Sequence, residues 1–353
     1  MKTMKSLVNI GALVCLTLIL NHEGFAGKKD VEKKKVVEKS FNVSGSTTFS
    51  VKNSFGRVHI ESWNESKIDV KVEVIARKKN DDRAQETLDK IEIDISESSG
   101  EVSFTTNFKG QMNKSNNNDN FEVNYMVRMP SGNPLNLSNA FGDSFIGDRS
   151  GDNDIKISYG DFRIENLKGK SDVKISFSDG DIKAVETGEV VIKYSDVNID
   201  RLGMVKLEDS FSDTDIGTAG TIQLTSKYGD LDIDEVVGIK GKASFSDVDI
   251  DALEKEAVLE TSYGGLSIDD ISKDFSVIDI RGKFGGMNLE FSEGTNAIFN
   301  VKTKFCEFKD SNSSIEMNYR VKESSSGDYR GVLGNGNGGT INVVTSYGDV
   351  TFR

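Results

Sequence analysis

The 353-residue sequence has little proline, cysteine, histidine or tryptophan, with two, two, two and one of each. One cysteine and one histidine fall within the first 26 residues, so the remainder contains only Cys306 and His59. A lone cysteine excludes an intramolecular disulfide, and a lone histidine excludes His-based catalytic triads and histidine-rich metal sites. Carboxylate pairs occur throughout, so none is distinctive. We therefore predict that the protein is not an enzyme and that it has no cofactor.

The sequence also lacks an apolar run long enough to span a bilayer. The longest, Leu7–Leu20, has 14 residues, whereas a spanning helix needs about 20. Lys2 and Lys5 precede it, and Gly24-Phe25-Ala26 follows it as a small-x-small cleavage site. Residues 1–26 are therefore predicted to be a signal peptide, with a membrane anchor as the alternative. We expect an exported protein, in the periplasm, on the outer-membrane surface or outside the cell, with no transmembrane segment after cleavage.

Positive charge is scarce, since 44 Lys and Arg face 57 Asp and Glu, a net charge of −13. Removing residues 1–26 would take away Lys2, Lys5 and Glu23, a net +1, and leave −14. An acidic chain repels phosphates, so no nucleic-acid partner is expected. Residues 27–40 are locally basic, and we interpret them as a solvated basic linker. A contact to anionic lipid or polysaccharide of the envelope is the alternative for this segment.

Residues 41–135 show the period-2 alternation of half-buried strands, as in Ile68–Val74 and Phe121–Met129. Between two such runs, Asp81–Lys90 places Ala84 and Leu88 on one helical face, with Asp82 as a possible cap. We predict an N-terminal β-rich domain over 41–135 with one short helix. Residues 111–120, rich in asparagine, are predicted to form a hairpin loop.

Residues 136–353 repeat a unit centred on an aromatic residue, and Phe55 begins an earlier copy. Successive aromatics are spaced by 17, 18 or 21 residues, and the last spacing is 42, which suggests one degenerate unit between Phe305 and Tyr347. The series is Phe141, Tyr159, Phe177, Tyr194, Phe211, Tyr228, Phe245, Tyr263, Phe284, Phe305 and Tyr347. A fixed period near 20 residues is the signature of a repeat architecture.

Apolar residues recur five and eight positions after each aromatic, for example Ile164 and Leu167 after Tyr159. We interpret these columns as inward-facing ladders of a β-solenoid, with the aromatic also facing inward. The predicted fold is all-β: a solenoid of 17–21-residue repeats behind the N-terminal domain. The sequence leaves open one or two units per coil, and a β-sandwich or propeller is the alternative fold.

An aspartate stands two positions after many of the aromatics. The column consists of Asp161, Asp179, Asp196, Asp213, Asp230 and Asp247. Stacked carboxylates repel one another unless something relieves them. Asp can accept hydrogen bonds from the N–H groups of its own turn, which accounts for the column without a function. The alternative is that Ca²⁺, which prefers oxygen ligands, bridges the coils at these six residues.

The segments NSFGRVHI, NAFGDSF, SYGDFRI and GTINVVTSYGDVTF resemble the bacterial putative-adhesin family of unknown function, over about residues 45–353. The resemblance implies an exported β-solenoid-like fold and no catalytic residues. We predict an adhesion or scaffold module that presents stacked polar ladders to an unknown protein or polysaccharide of the cell envelope or surface. The main alternative is a periplasmic envelope-stress or structural component that binds a membrane protein. A polysaccharide-cleaving enzyme is the minor one.

Overall fold

The computed structural model describes residues 31–98, 100–110 and 120–353. The predicted signal peptide and residues 111–119 of the predicted hairpin loop lie outside this part. The first eleven strands are β1 (Val31–Asn42), β2 (Thr48–Ser54), β3 (Val58–Trp63), β4 (Lys67–Lys78), β5 (Ile91–Glu97), β6 (Glu101–Phe108), β7 (Asn120–Pro130), β8 (Leu135–Ala140), β9 (Ser144–Ile146), β10 (Asn153–Ser158) and β11 (Phe162–Ser176).

Fourteen further strands follow. They are β12 (Gly180–Lys193), β13 (Asp196–Ser210), β14 (Asp213–Lys227), β15 (Asp230–Ser244), β16 (Asp247–Ser262), β17 (Leu266–Ile271), β18 (Val277–Lys283), β19 (Met287–Phe291), β20 (Ala297–Lys304), β21 (Phe308–Asp310), β22 (Ile315–Lys322), β23 (Ser326–Leu333), β24 (Gly339–Ser346) and β25 (Val350–Phe352). One helix, α1 (Asp81–Asp89), occurs in the described residues, and none there is long and apolar enough to cross a bilayer.

The central strands confirm the predicted solenoid and settle the size of its coil. Strand β11 pairs in parallel with β12, with Ile164 opposite Ile182, and the parallel pairing continues through β16. Partners are 17 or 18 residues apart, which is one sequence unit per coil. Parallel strands bury both their inner face and their ladder hydrogen bonds, so each coil depends on its neighbours.

The predicted isoleucine column forms a fully buried ladder. Its members are 0–2% exposed: Ile60, Ile146, Ile164, Ile182, Ile199, Ile216, Ile233, Ile250, Ile268, Leu289 and Phe352. The column eight positions after the aromatic, which includes Leu167 and Val236, is buried as well. These two ladders lie between the two layers of each coil and form the core.

The aromatic column, by contrast, is not in the core. Its rings are stacked as predicted but stand on the outer edge, and Tyr194 for example is 49% exposed. The prediction that Tyr159 faces inward beside Ile155 and Ile157 was therefore wrong. Tyr159 adopts a positive φ of 59°, which interrupts the strand alternation and turns its side chain outward.

The N-terminal part begins with a coil that stacks on the first repeat. Strands β2 and β3 pair in parallel with β8 and β9, so Phe55 stacks on Phe141 across 85 intervening residues of which many form a cap. In that cap β1 pairs antiparallel with β4, β4 with β7, and β5 with β6. One buried apolar cluster runs from Phe41 to Phe352. The division at residues 135/136 thus separates regions that share a core, and independent folding of the two stays a prediction.

Two details of the N-terminal prediction were wrong. Residues 27–40 are not a linker throughout, because strand β1 starts at Val31 and pairs with β4 over its full length. Its lysines are anchored, as when Lys33 pairs with Asp81 of α1 at 2.6 Å. The helix occurs where predicted, with Ala84 and Leu88 buried, but its N-cap is Asn80 rather than Asp82.

The C-terminal coils are not stacked in sequence order. Strand β24 lies between β18 and β20, so the last coil is inserted between two coils that precede it in the sequence. The predicted degenerate unit between Phe305 and Tyr347 does not exist. In its place β22 and β23 form an antiparallel hairpin that pairs with β20 and covers the end of the stack.

Candidate binding surface

The edge of the solenoid carries a continuous ladder of aromatic rings. Neighbouring ring centroids are 4.7–5.1 Å apart and nearly parallel, from Phe55 to Phe305. All twelve residues have φ between 53° and 64°. Each ring inside the ladder has both faces covered by its neighbours. The ladder therefore offers ring edges, and not the open ring faces on which a sugar stacks.

Small residues behind each aromatic hold the corner together. Gly160 fits a close approach of the coils, because a Cβ there would lie 2.4 Å from the Gly142 carbonyl oxygen. In other coils the slot holds serine, and the Ser195 hydroxyl donates to the Lys193 carbonyl while accepting from the Ser178 N–H. Cys306 donates to the Lys304 carbonyl in the same way. The interpretation of Cys306 as a small residue in a turn slot agrees with this geometry.

The six predicted calcium ligands form an exposed column beside the aromatic ladder. The Asp179 carboxylate accepts from the Asp196 N–H at 3.0 Å, and the Asp213 carboxylate from the Asp230 N–H at 3.3 Å. The donors belong to the next coil and not to the same turn, so the turn explanation needs that correction. No group of three or more His, Cys, Asp or Glu side chains in the described residues is arranged to hold a metal ion. Calcium binding at the column stays a prediction.

The column belongs to a larger acidic face, which is the outer surface of the strand segments that follow the aromatics. We define the acidic face by thirteen exposed aspartates: Asp179, Asp181, Asp196, Asp200, Asp213, Asp215, Asp230, Asp232, Asp234, Asp247, Asp249, Asp251 and Asp269. Residues 171–270 contain nine Lys and Arg against 23 Asp and Glu, a net −14. The chain's whole net charge thus lies in the central coils.

The acidic face is not neutralised by the protein itself. On the opposite face of the same coils Lys206 pairs with both Glu189 and Glu208, and Lys242 pairs with Glu260. Among the described residues no aspartate of the acidic face forms an ion pair with a cationic side chain. Charge of one sign that is left unpaired on one face creates a strong local potential.

The protonation of the face reflects this crowding. Partial burial, together with the negative charges of neighbours such as Asp215, raises the pKa of Asp232 above its ordinary value. Burial and the charges of Asp247 and Asp269 raise the pKa of Asp249 in the same way. Both shifts show that the folded protein holds these carboxylates closer together than they would lie in solution.

A second concave region lies on the N-terminal cap. It has a volume of about 700 Å³ and is lined by residues of β1, β3, β4 and β7 such as His59, Met126 and Arg128. His59 stacks on Phe145 at 4.5 Å, and the Arg128 guanidinium covers the Trp63 ring at 4.6 Å. Trp63 also donates to the Lys67 carbonyl. These contacts suit a packing role for His59 and Trp63, and the groove has no excess of either charge.

Two buried charged residues escaped the sequence analysis. Arg149 is 1% exposed and donates to the carbonyls of Pro130 and Asn133. Asp209 is fully buried on β13, in an inward column that Ile175 and Ile192 occupy in other coils. Only the second had a sequence signal, because aligning the units places an aspartate among isoleucines.

Solved structures similar to this chain include a putative cell adhesion protein from Clostridium sporogenes, a putative adhesin from Parabacteroides merdae and a putative lipid binding protein from Parabacteroides distasonis. Their identities are 13%, 10% and 12%, with TM-scores of 0.21, 0.33 and 0.35. The matches cover 92%, 90% and 73% of this chain and 99%, 96% and 97% of those chains. Two of these names agree with the family resemblance noted above, and scores this low carry no functional argument. No family model and no curated protein matches the sequence.

Proposed function

We propose that this protein is an exported, non-catalytic adhesion or scaffold module that binds its partner through the acidic face. The observation that supports the proposal is the row of thirteen aspartates without cationic partners in consecutive coils. Neighbouring parallel strands are about 4.8 Å apart, so the face is a regular array of charge. Such an array attracts an extended partner that carries positive charge, which is either a polymer or a basic protein surface.

A binding measurement tests the role of the face. The quadruple variant Asp230→Asn, Asp232→Asn, Asp247→Asn, Asp249→Asn removes four charges and preserves side-chain size. The matched control Glu92→Gln, Asp94→Asn, Glu97→Gln, Glu101→Gln removes four charges from the hairpin β5–β6. We expect the first variant to lose at least tenfold in affinity for intact cells or isolated envelopes of the source bacterium, and the control to bind like the wild type. Equal losses in both variants would contradict a specific role of the face.

Surface labelling separates adhesion from the main alternative. A membrane-impermeant amine reagent applied to intact cells should label the protein if it is displayed outside. An unlabelled protein in intact cells that becomes labelled after the outer membrane is opened would favour the periplasmic envelope-stress or structural component. In that case co-purification of a membrane protein with the acidic face would be the next measurement.

The enzyme alternative and the calcium prediction each have a direct measurement. A glycan array followed by a reducing-end assay would detect cleavage, and binding without product would exclude a polysaccharide-cleaving activity. Calcium at millimolar concentration should raise the melting temperature if Asp179, Asp196 and their column bridge coils through the ion. An unchanged melting temperature would remove the calcium prediction without affecting the proposed binding of a cationic partner.

A further inference from the structure

Asp209 occupies a position in which the core offers it nothing to bind. It lies near the end of β13, two residues before Phe211, and its side chain is 0% exposed. The residues opposite it in the neighbouring coils are Ile192 on β12 and Ser226 on β14. Neither of its carboxylate oxygens has a hydrogen-bond partner of ordinary geometry. A buried polar group without a partner is costly, and a buried charge is costlier still.

The hydroxyls around Asp209 are committed elsewhere or unpaired. Ser212 donates to the Ser210 carbonyl, and Ser226 donates to Ser246. The buried hydroxyl of Thr214 also lacks a partner. In another coil the equivalent positions meet across the core, since a Cβ on Gly282 would lie 1.9 Å from the Met287 Cε. Asp209 and Thr214 therefore share one polar spot inside an otherwise apolar stack.

No cation compensates the carboxylate. The residues that pair with it on β12 and β14 are uncharged, and the charged group that acts on it is Asp213, which is anionic. Asp213 lies at the start of β14, four residues further along the chain. An aspartate in these surroundings is stable only when it carries a proton, because the protonated form has no charge to desolvate.

We propose that Asp209 is protonated in the native solenoid and acts as a pH-sensitive element that loosens the central coils when it ionises. Burial, with a further contribution from Asp213, raises the pKa of Asp209 to about 7, and the opposing effects of Ser212 and Ser210 are smaller than burial. In the unfolded chain an aspartate titrates near 4. Between these values the folded state binds a proton that the unfolded state has lost, so the stability falls as the pH rises through this window.

The consequence is a structure that is firmest in acid and weakest above neutral pH. Within the window one linked proton lowers the folding equilibrium constant by up to about tenfold per pH unit. Above about pH 7 the loss is complete, because Asp209 is then charged in both states. The strain falls on β13 and β14, which lie in the middle of the acidic face and also carry its charge.

The test compares the pH dependence of three proteins without residues 1–26. Asp209→Asn removes the ionisation and keeps the shape, and Asp209→Ser places there the residue found at the same position of the next coil. Asp200→Asn, at an exposed site on the same strand, is the matched control. Urea unfolding midpoints are measured from pH 5 to pH 8.5, and amide hydrogen exchange is followed for residues 205–227.

We expect the midpoint of the wild type and of Asp200→Asn to fall as the pH rises. Asp209→Asn and Asp209→Ser should fall markedly less, and at pH 8 both should exceed the wild type. Exchange within residues 205–227, corrected for its intrinsic pH dependence, should accelerate at pH 8 in the wild type and the control only. The acidic face adds a slope of the same sign to all four proteins, so the difference between variants is decisive. Equal slopes in Asp209→Asn and the wild type would overturn the proposal, and so would recovery of wild-type stability at pH 8 by added Na⁺, K⁺ or Ca²⁺, since a cation and not a proton would then neutralise the site.

Discussion

Arg149 shows how a single residue joins the cap to the solenoid. Its guanidinium donates to the Pro130 carbonyl at 2.9 Å, to the Asn133 carbonyl and to the Ser62 hydroxyl at 3.3 Å. Burial lowers the pKa of Arg149 to about 10, since its partners are neutral oxygens. The side chain remains charged at neutral pH and satisfies carbonyls at the end of β7 and in the loop that follows.

Replacing Arg149 should therefore be costly. We expect Arg149→Leu to lower the free energy of unfolding by about 2–4 kcal/mol, because buried carbonyl oxygens lose their donors. Arg163→Leu is the control, since that arginine is largely exposed and pairs with Glu165 at the surface. It should change stability by less than about 1 kcal/mol. Urea denaturation of both variants decides, and equal effects would mean that Arg149 is not a structural link.

At the scale of one element, the aromatic corner combines a strained backbone with a favourable stack. A non-glycine residue with positive φ costs on the order of 1 kcal/mol, and an offset aromatic pair returns a similar amount. Tyr194 illustrates the balance, with φ of 53° and rings at 4.8 and 4.9 Å on either side. The corner is thus held by its neighbours in the stack and not by local preference.

This balance predicts an unusual order of substitutions at the corner. Tyr194→Ala should destabilise the protein by about 1 kcal/mol more than Tyr194→Gly, because both lose the stack and only alanine keeps the strain. At Ile199, in the interior of β13, the order should reverse, with glycine worse than alanine. Thermal or urea unfolding of the four variants measures both differences. Alanine and glycine of equal stability at residue 194 would contradict the strained corner.

The acidic face supplies a second prediction at the scale of an element. Because the pKa of Asp249 is raised in the folded state, the folded protein binds more protons than the unfolded chain just above pH 4. Stability therefore falls as pH rises through that range, and Asp249→Asn should increase stability at pH 7. Added NaCl should stabilise the wild type more than the variant, since salt screens the repulsion. A variant that is less stable than the wild type at pH 7 would show that the Asp249 carboxylate makes a net favourable contact.

At the scale of the whole molecule, one repeat per coil makes the solenoid modular. Deleting Ser178–Tyr194 removes 17 residues, one complete coil, and joins Phe177 to Ser195 in the register that every other coil uses. Nearest-neighbour contacts are preserved, so the shortened protein should fold and unfold cooperatively with its β circular dichroism retained. Deleting the nine residues Ser178–Glu186 leaves half a coil and should prevent a single cooperative transition. A cooperative half-coil variant would contradict the register.

Whole-molecule topology also explains the order of the aromatics. Along the sequence Phe284 is followed by Phe305 and then Tyr347, which breaks the alternation of Phe and Tyr. In space Tyr347 lies between the other two, at 4.7 and 5.0 Å, and the alternation continues to the last coil. The inserted coil thus completes the pattern that the sequence order interrupts.

The sequence by itself determined the period, the all-β class, the short helix and the buried isoleucine ladder, because spacing and alternation fix which side chains a repeated strand buries. Only the tertiary structure decided the outward aromatics, since the positive φ at Tyr159 and its equivalents arises from coil packing and has no local signature. The pairing of Val31–Asn42 with β4, the insertion of β24 between β18 and β20, and the burial of Arg149 and Asp209 are likewise long-range. Each depends on contacts between segments far apart in the chain, and local preferences carry no information about which segments meet.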